Sequence, residues 1–346
     1  MSPSEPRARV TLADVARRAE VSLKTASRAL NAEPYVTERT RQRVWDAVAD
    51  LGYERNAAAT LLASGHRSDT IGLITGDLSN PFYAVLAMGI EEALRETGMG
   101  LSVASSAESP DHEWSLASGF ASAQARAVIV ASSMRDHAPY GALISRGIPV
   151  VFVDRPAVGV DADTVVFDDM EGGRVAAGHL LAHGHRRIAF LGDYDWLRTS
   201  RERLEGIAGR LGADLAASGE DAAELLVRMG VHGPADAATC TAELLALADP
   251  PTAILAGNNR IMLGVAAQVR RLAPARPPAL LSFDDFEWSE VVGISVVAGD
   301  AARMGEIAAR RALARMSDRE SRPTHTSLPM RLIERGSGER LVGDPA

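Results

Sequence analysis

Val10-Thr11-Leu12-Ala13-Asp14-Val15-Ala16, followed by Val21-Ser22-Leu23-Lys24-Thr25-Ala26-Ser27-Arg28-Ala29-Leu30-Asn31, reads as two short helices joined by a tight turn. Thr11 can cap the first, whose apolar positions Leu12, Val15, Ala16 and Ala19 fall at i, i+3, i+4 and i+7. Ser22 can cap the second. Ala26, Ala29 and Leu30 then face inward, and Leu23, Lys24, Ser27 and Arg28 fall on the opposite face. A third helix follows Thr37, carries Val44, Val48 and Leu51 at i, i+4 and i+7, and stops at Gly52. Three helices of this size make one head of about 50 residues. Its second helix can enter a DNA major groove. The plainer alternative is a small helical bundle with a solvated charged face. Small residues on the turn side, paired with a mixed apolar and basic outer face, argue against it.

These spacings resemble the lactose-repressor (LacI/GalR-type) family of bacterial transcription regulators. The pattern T-x-x-D-V-A…V-S-x-x-T-x-S-R-x-L-N is present nearly in full, with Ala26 where Val is commoner. The likeness continues through Val36-Thr37, Thr40-Arg41, Val44 and Leu51-Gly52-Tyr53 to Asn56, and then along most of the chain. It implies that Thr11, Ser22, Leu23, Lys24, Thr25, Ser27, Arg28 and Asn31 contact double-stranded operator DNA. Leu23, Lys24 and Arg28 would face bases, and Thr25 and Ser27 would support them or touch phosphate. It also implies a hinge over 56–66 that folds when two protomers sit on DNA, with Asn56 and Ala59 at the duplex and Leu62 wedged into the minor groove. Arg55 stands where the family usually has Pro.

Charge is unevenly placed. The 346 residues carry a formal charge of −8, yet the first 66 hold 10 Lys+Arg against 8 Asp+Glu, which leaves −10 to the remainder. Phosphate contacts depend on local charge, so the whole-chain value does not exclude DNA. Cys240 is the sole cysteine, so no disulfide forms within the chain, as suits a reducing cytoplasm. Met1 to Arg9 has no apolar signal-peptide core, and no run of about 18 apolar residues argues for a membrane span.

From Asp69 onward, short apolar runs alternate with amphipathic stretches. The runs are Ile71–Thr75, Leu101–Ser105, Ala127–Ala131, Pro149–Val153, Ile188–Gly192, Ala253–Gly257 and Ala279–Phe283; Phe82–Thr97 is a helix between two of them. Such alternation predicts parallel sheets covered on both faces, best divided between two doubly wound lobes of periplasmic-binding-protein type. The expected organisation is a helix-turn-helix head over 9–55, the hinge over 56–66, and a two-lobed core over 67–340. The family resemblance implies three crossings between lobes, placed near 166–170, 296–300 and 324–328. Lobe 1 then takes about 67–168 and 298–325, and lobe 2 about 169–297 and 326–340.

Ligand residues are expected where strands end. Asn80-Pro81-Phe82-Tyr83, Asp154-Arg155, Arg203 of the R-x-x-G segment ending at Gly206, Asn258, Asp284 and Trp288 are the candidates. Asp, Asn and Arg around aromatic faces suit vicinal hydroxyls, so a sugar is expected ahead of a purine. The plainer reading of several of these is that they cap helices, pin loops or pack in the core. Asn259 replaces a residue that is usually acidic in the family, and Gly299 a usual Gln.

No catalytic set, metal site or cofactor motif can be nominated. His183 and His185 lack zinc spacing, Gly172-Gly173 and Gly192-Asp193 lack a phosphate-loop context, and Asp168-Asp169 or Asp284-Asp285 are merely adjacent in sequence. The reading is a cytoplasmic, ligand-responsive repressor, not an enzyme, acting as a homodimer with tetramers left open. A purine-like co-repressor version of the same fold, a sugar-processing enzyme with a DNA head, and a solute-binding module remain alternatives.

Overall fold

The computed structural model describes residues 10–30, 33–53, 68–218 and 223–341. The chain divides into two units, Met1–Arg67 and Ser68–Ala346.

In the first unit, α1 (Leu12–Arg18), α2 (Leu23–Leu30) and α3 (Glu38–Leu51) close on Val15, Ala19, Ala29, Leu30, Val44 and Ala47. Each helix starts on a side-chain cap. Thr11 accepts from the Asp14 amide while the Asp14 carboxylate accepts from the Thr11 amide, a reciprocal capping box. Ser22 Oγ accepts from the Thr25 amide at 3.1 Å, and Thr37 Oγ1 from the Thr40 amide at 3.3 Å. Gly52 ends α3 at φ +60°, a left-handed turn that costs glycine little. The α1–α2 turn bends at Glu20, φ +53°, and the Arg43 guanidinium of α3 donates to the carbonyls of Ala19 and Glu20.

The second unit holds two six-stranded sheets. The first has the order β11-β5-β4-β3-β1-β2, with β1 at Thr70–Thr75, β2 at Gly100–Ser105, β3 at Ala127–Val130, β4 at Val150–Val153, β5 at Asp163–Phe167 and β11 at His325–Leu328; all its pairs are parallel. The second repeats that order as β12-β10-β9-β8-β6-β7. Here β6 is Arg187–Leu191, β7 Glu224–Arg228, β8 Ala253–Ala256, β9 Ala279–Phe283, β10 Ser295–Ala298 and β12 Arg331–Ile333, and only the β10–β12 pair is antiparallel. The central strands are buried throughout, as a sheet covered on both faces requires. Helices α4 (Pro81–Leu94), α5 (Pro110–Ser122), α6 (Gly141–Ser145), α7 (Asp169–Ala182), α8 (Arg198–Ser218), α9 (Pro234–Leu245), α10 (Asn259–Leu272), α11 (Glu287–Val291) and α12 (Ala301–Ser317) provide the cover.

The chain passes between sheets three times, after β5, after β10 and after β11. The first two crossings are followed by helices capped by equivalent residues: Asp168 accepts from the Glu171 amide, and Asp300 from the Arg303 amide. The third lies at 329–330, not within 324–328. His325–Leu328 pairs with β5 over its whole length, so lobe 1 extends through 328 and lobe 2 resumes after it. Pro329 then follows, with no N–H to continue a ladder. Likewise β10 keeps Ala298 in the second sheet, paired with Arg331 of β12.

Glycines set the tightest helix contacts. A Cβ on Gly89 of α4 would overlap the Ala302 carbonyl, and one on Gly305 of α12 the Leu86 carbonyl. In the other lobe, Gly173 of α7 meets the Arg203 carbonyl and Gly206 of α8 meets the Met170 carbonyl in the same way. The glycine of the R-x-x-G segment is therefore a packing residue, and the backbone approach it permits brings Arg203 to α7. Gly299 has its own reason to be small, because the Phe167 ring occupies the space of a Cβ there.

Candidate functional site

On the head, the outer face of α2 presents Leu23, which is 54% exposed, beside exposed Lys24. Ser27 and Arg28 are half-exposed on the same side, while Ala26, Ala29 and Leu30 are buried. Arg28 Nε lies 3.5 Å from the Glu33 carboxylate; such a surface pair is weak and open to exchange. Thr25 Oγ1 is 2.8 Å from Ser22 Oγ, so both hydroxyls belong to the cap, and Thr11 Oγ1 donates to Asp14 at 2.6 Å. Asn31, Asn56, Ala59 and Leu62 lie outside the described residues.

In the second unit, the C-terminal strand ends of both lobes face one cleft. In an open doubly wound sheet this is where loops splay apart and leave a crevice. Asn80, Phe82 and Tyr83 enter from the start of α4, Asp154 and Arg155 from the end of β4, Arg203 from α8, Asn258 from the start of α10, and Asp284 from the end of β9. Asn80 and Asn258 are helix N-caps as well as cleft residues. Asn80 Oδ1 accepts from the Phe82 amide at 3.0 Å, and Asn258 Oδ1 from the Ile261 amide at 2.9 Å. The capping role and the cleft position coexist, because a cap at a strand-to-helix turn sits at the cleft edge.

The buried arginines are held by carboxylates. Arg155 forms a two-pronged pair with Glu108 at 2.7 and 2.8 Å and donates to the Ser132 carbonyl at 2.8 Å. Arg203 donates from Nε to Asp169 at 2.7 Å and from Nη1 to the Gly257 carbonyl at 2.6 Å, and its Nη2 lies 3.6 Å from Asp284. Burial pushes the Asp154 carboxyl up to about 6 and that of Asp169 up to about 7, against the pull of nearby arginines; Asp284 is raised for the same reason. Asp193 accepts from His232 Nδ1 at 2.9 Å, a bond that raises the imidazole above its ordinary value.

Asn259 and Arg260 of the second lobe reach the first across this space. Asn259 Nδ2 donates to Asn80 Oδ1 at 2.8 Å, leaving its own buried Oδ1 without a partner among the described residues. Arg260 pairs with Asp77 at 3.1 Å and also donates to Ser79.

Trp288 does not join the others. It sits on α11 and packs against the second lobe's apolar cluster beside Phe286, with ring centroids 4.2 Å apart. The strand–loop reading placed it at the cleft because it follows Asp284, but the short helix turns it inward. Asp77, Glu108, Asp193 and His232 line the cleft and are absent from the sequence-derived set. Asp193 was within reach, as it directly follows the run Ile188–Gly192. His232 follows β7, a strand with no clear alternation in sequence.

Two doubly wound lobes sharing a polar cleft in one unit, with an exposed helix face on a three-helix head in the other, define a ligand-responsive DNA-binding regulator. Comparison with known proteins agrees. Residues 68–273 match the model of periplasmic binding proteins and sugar binding domain of the LacI family, and residues 11–56 match that of bacterial regulatory proteins of the lacI family. The chain belongs to the LacI family of transcriptional regulators. It is 31% identical over 348 residues to the HTH-type transcriptional regulator CelR of Thermobifida fusca, covering 96% of this chain and 100% of that protein. A CelR–cellobiose complex superposes with TM-score 0.68 at 27% identity, covering 95% of this chain and 100% of that one. The lac repressor dimer bound to operator and the anti-inducer ONPF gives TM-score 0.77 at 22% identity, over 96% and 100%, a likeness of fold.

Proposed function

We propose that two copies of the chain bind a pseudo-palindromic operator and repress transcription, and that a sugar lodged in the cleft releases them. Eight residues from five segments converging on one cleft carry this reading. Asp154, Asp284 and Asn258 accept or donate to vicinal hydroxyls, Arg203 supplies a charged donor, and Phe82 offers a ring edge. Leu23, Lys24 and Arg28 read bases; Thr11 at the start of α1, and Ser22, Thr25 and Ser27 on α2, support them and reach phosphate. Asn31, Asn56, Ala59 and Leu62 complete the duplex contact. The work is regulatory rather than enzymatic, and its setting is the cytoplasm, where the operator is.

Exposed Leu78, Val85 and Met88 on lobe 1, with Leu247, Leu263 and Leu272 on lobe 2, support pairing of two copies. Ligand in the cleft works by changing the relative pose of the lobes, and its effect on DNA affinity is at most its preference between poses. The test is selection of duplexes from a random library, followed by retention assays with sugars. Enrichment of a two-fold symmetric site, loosened by a sugar, is expected. Failure to enrich any duplex overturns the reading.

A further inference from the structure

Beside the cleft lies a second cavity, walled by the loops after β3 and β4 of one lobe and the loop after β6 of the other; Arg155 and Leu197 line both spaces. Its first-lobe wall is fixed in place. Fully buried Glu113 accepts from Ser132 Oγ at 2.5 Å, from the Ser133 amide at 2.5 Å and hydroxyl at 2.6 Å, and from Tyr140 OH at 2.7 Å. His137 ties the same loop down, accepting at Nδ1 from the Val158 amide at 2.8 Å, which leaves Nε2 to donate to the Met134 carbonyl at 3.1 Å. A buried carboxylate persists only where donors surround it, and here they all come from this wall and its flank.

The two spaces differ in charge. Five carboxylates line the cleft, and its Arg155 and Arg203 are already neutralised by Glu108 and Asp169. In the outer cavity Asp195 is the single carboxylate against four arginines. Arg198 is paired with Glu202 at 2.5 Å, but the Arg135 and Arg201 guanidiniums make no ion pair or side-chain hydrogen bond among the described residues. Trp196 adds a flat apolar wall, stacked on Tyr194 at 5.5 Å and 14°, which is itself stacked on His232 at 4.5 Å and 19°.

We infer that this outer cavity takes the anionic group, phosphate or carboxylate, of an effector whose polyhydroxylated body occupies the cleft. Arg135 and Arg201 supply the countercharge, and Trp196 packs on the carbons that join the two ends. The inference rests on the cleft being a sugar site and adds what that sugar carries.

Calorimetric titration of the full chain with matched sets tests it: glucose with glucose 6-phosphate and glucuronate, fructose with fructose 6-phosphate, and ribose with ribose 5-phosphate. The anionic member of the binding set is expected to bind at least about tenfold more tightly, as charged hydrogen bonds allow. In the Arg135→Gln/Arg201→Gln variant that advantage should fall to about threefold or less, with the neutral sugar's affinity unchanged. Preference for 6-phosphate or for uronate tells the two anions apart. A neutral sugar that binds as well as its anionic partners overturns the inference and leaves the sugar-released repressor intact. An advantage that survives the double substitution also overturns it. If none of the sets binds, the inference falls, while the operator-binding repressor still stands or falls on the duplex selection.

Discussion

Asp154 and Asp284 stand at equivalent points of the two lobes. Each directly follows the strand that is third from the same edge of its sheet, each has a left-handed backbone, φ +64° and +65°, and both line the cleft. Aspartate tolerates that conformation better than most residues, and strain of this kind gathers at sites. Asp284→Asn keeps the backbone and removes the charge. It should weaken response to the effector by about 10- to 100-fold, the worth of a charged hydrogen bond, with operator affinity unchanged in a retention assay. An unaltered effector titration would remove Asp284 from the site.

Arg203→Ala has two effects that can be separated. It strands the buried Asp169 carboxylate, so the melting temperature should fall, by the equivalent of about 3–5 kcal/mol. Adding Asp169→Asn should recover much of that loss, because no uncompensated charge is left, while effector response stays absent. A double variant no more stable than the single one would show that the pair is not the source of the loss.

Arg28 faces away from the head's core, and its one ion pair among the described residues is a 3.5 Å surface contact with Glu33. Arg28→Ala should cost about 1–3 kcal/mol on the selected operator and less on random duplex. Equal losses on both would mean that Arg28 meets phosphate and reads no base.

Asn259→Asp turns a donor toward Asn80 Oδ1 into a second acceptor. Asn80 cannot flip its amide without giving up its bond to the Phe82 amide. The bridged arrangement of the lobes should lose about 0.5–1.5 kcal/mol, seen as a few-fold faster effector dissociation in stopped-flow. An unchanged off-rate would show that this contact carries no closure energy.

Asp154 makes the core's stability fall with rising pH. A carboxyl whose folded value exceeds its unfolded one holds its proton longer in the native protein. It therefore favours the fold at low pH and costs stability once both states ionise. The rise from 3.8 to about 6 amounts to roughly 3 kcal/mol, lost between about pH 4 and 6. Denaturant unfolding of Asp154→Asn should show a flatter profile over that window, and a slope equal to that of the parent protein would refute the assignment.

The head was legible nearly residue by residue, because caps and 3.6-residue periodicity are local: Thr11, Ser22, Thr37 and Gly52 each do what their type and position dictate. The seven apolar runs of the core are strands for the same reason. Strands β5, β7, β10, β11 and β12 were missed; β7, β11 and β12 are half-exposed, and their patterns are weak. Cleft residues directly after a recognised strand, such as Asp154 and Asp284, could be read. Glu108 could not, because its role depends on Arg155, 47 positions away. Trp288 was misplaced because an aromatic's spacing does not reveal which way a five-residue helix will turn it. The outer cavity was invisible in sequence, being assembled from three loops whose meeting depends on strand order.

The glycine pairs Gly89–Gly305 and Gly173–Gly206 lock backbone to backbone in the helices that leave the first two crossings. A packed contact of that kind does not stretch. Each lobe must therefore travel as a solid piece, and any torque a small molecule exerts is delivered through three peptide strings near 168, 299 and 329. Stiffening one of those strings would leave both halves of the machine intact yet uncouple them.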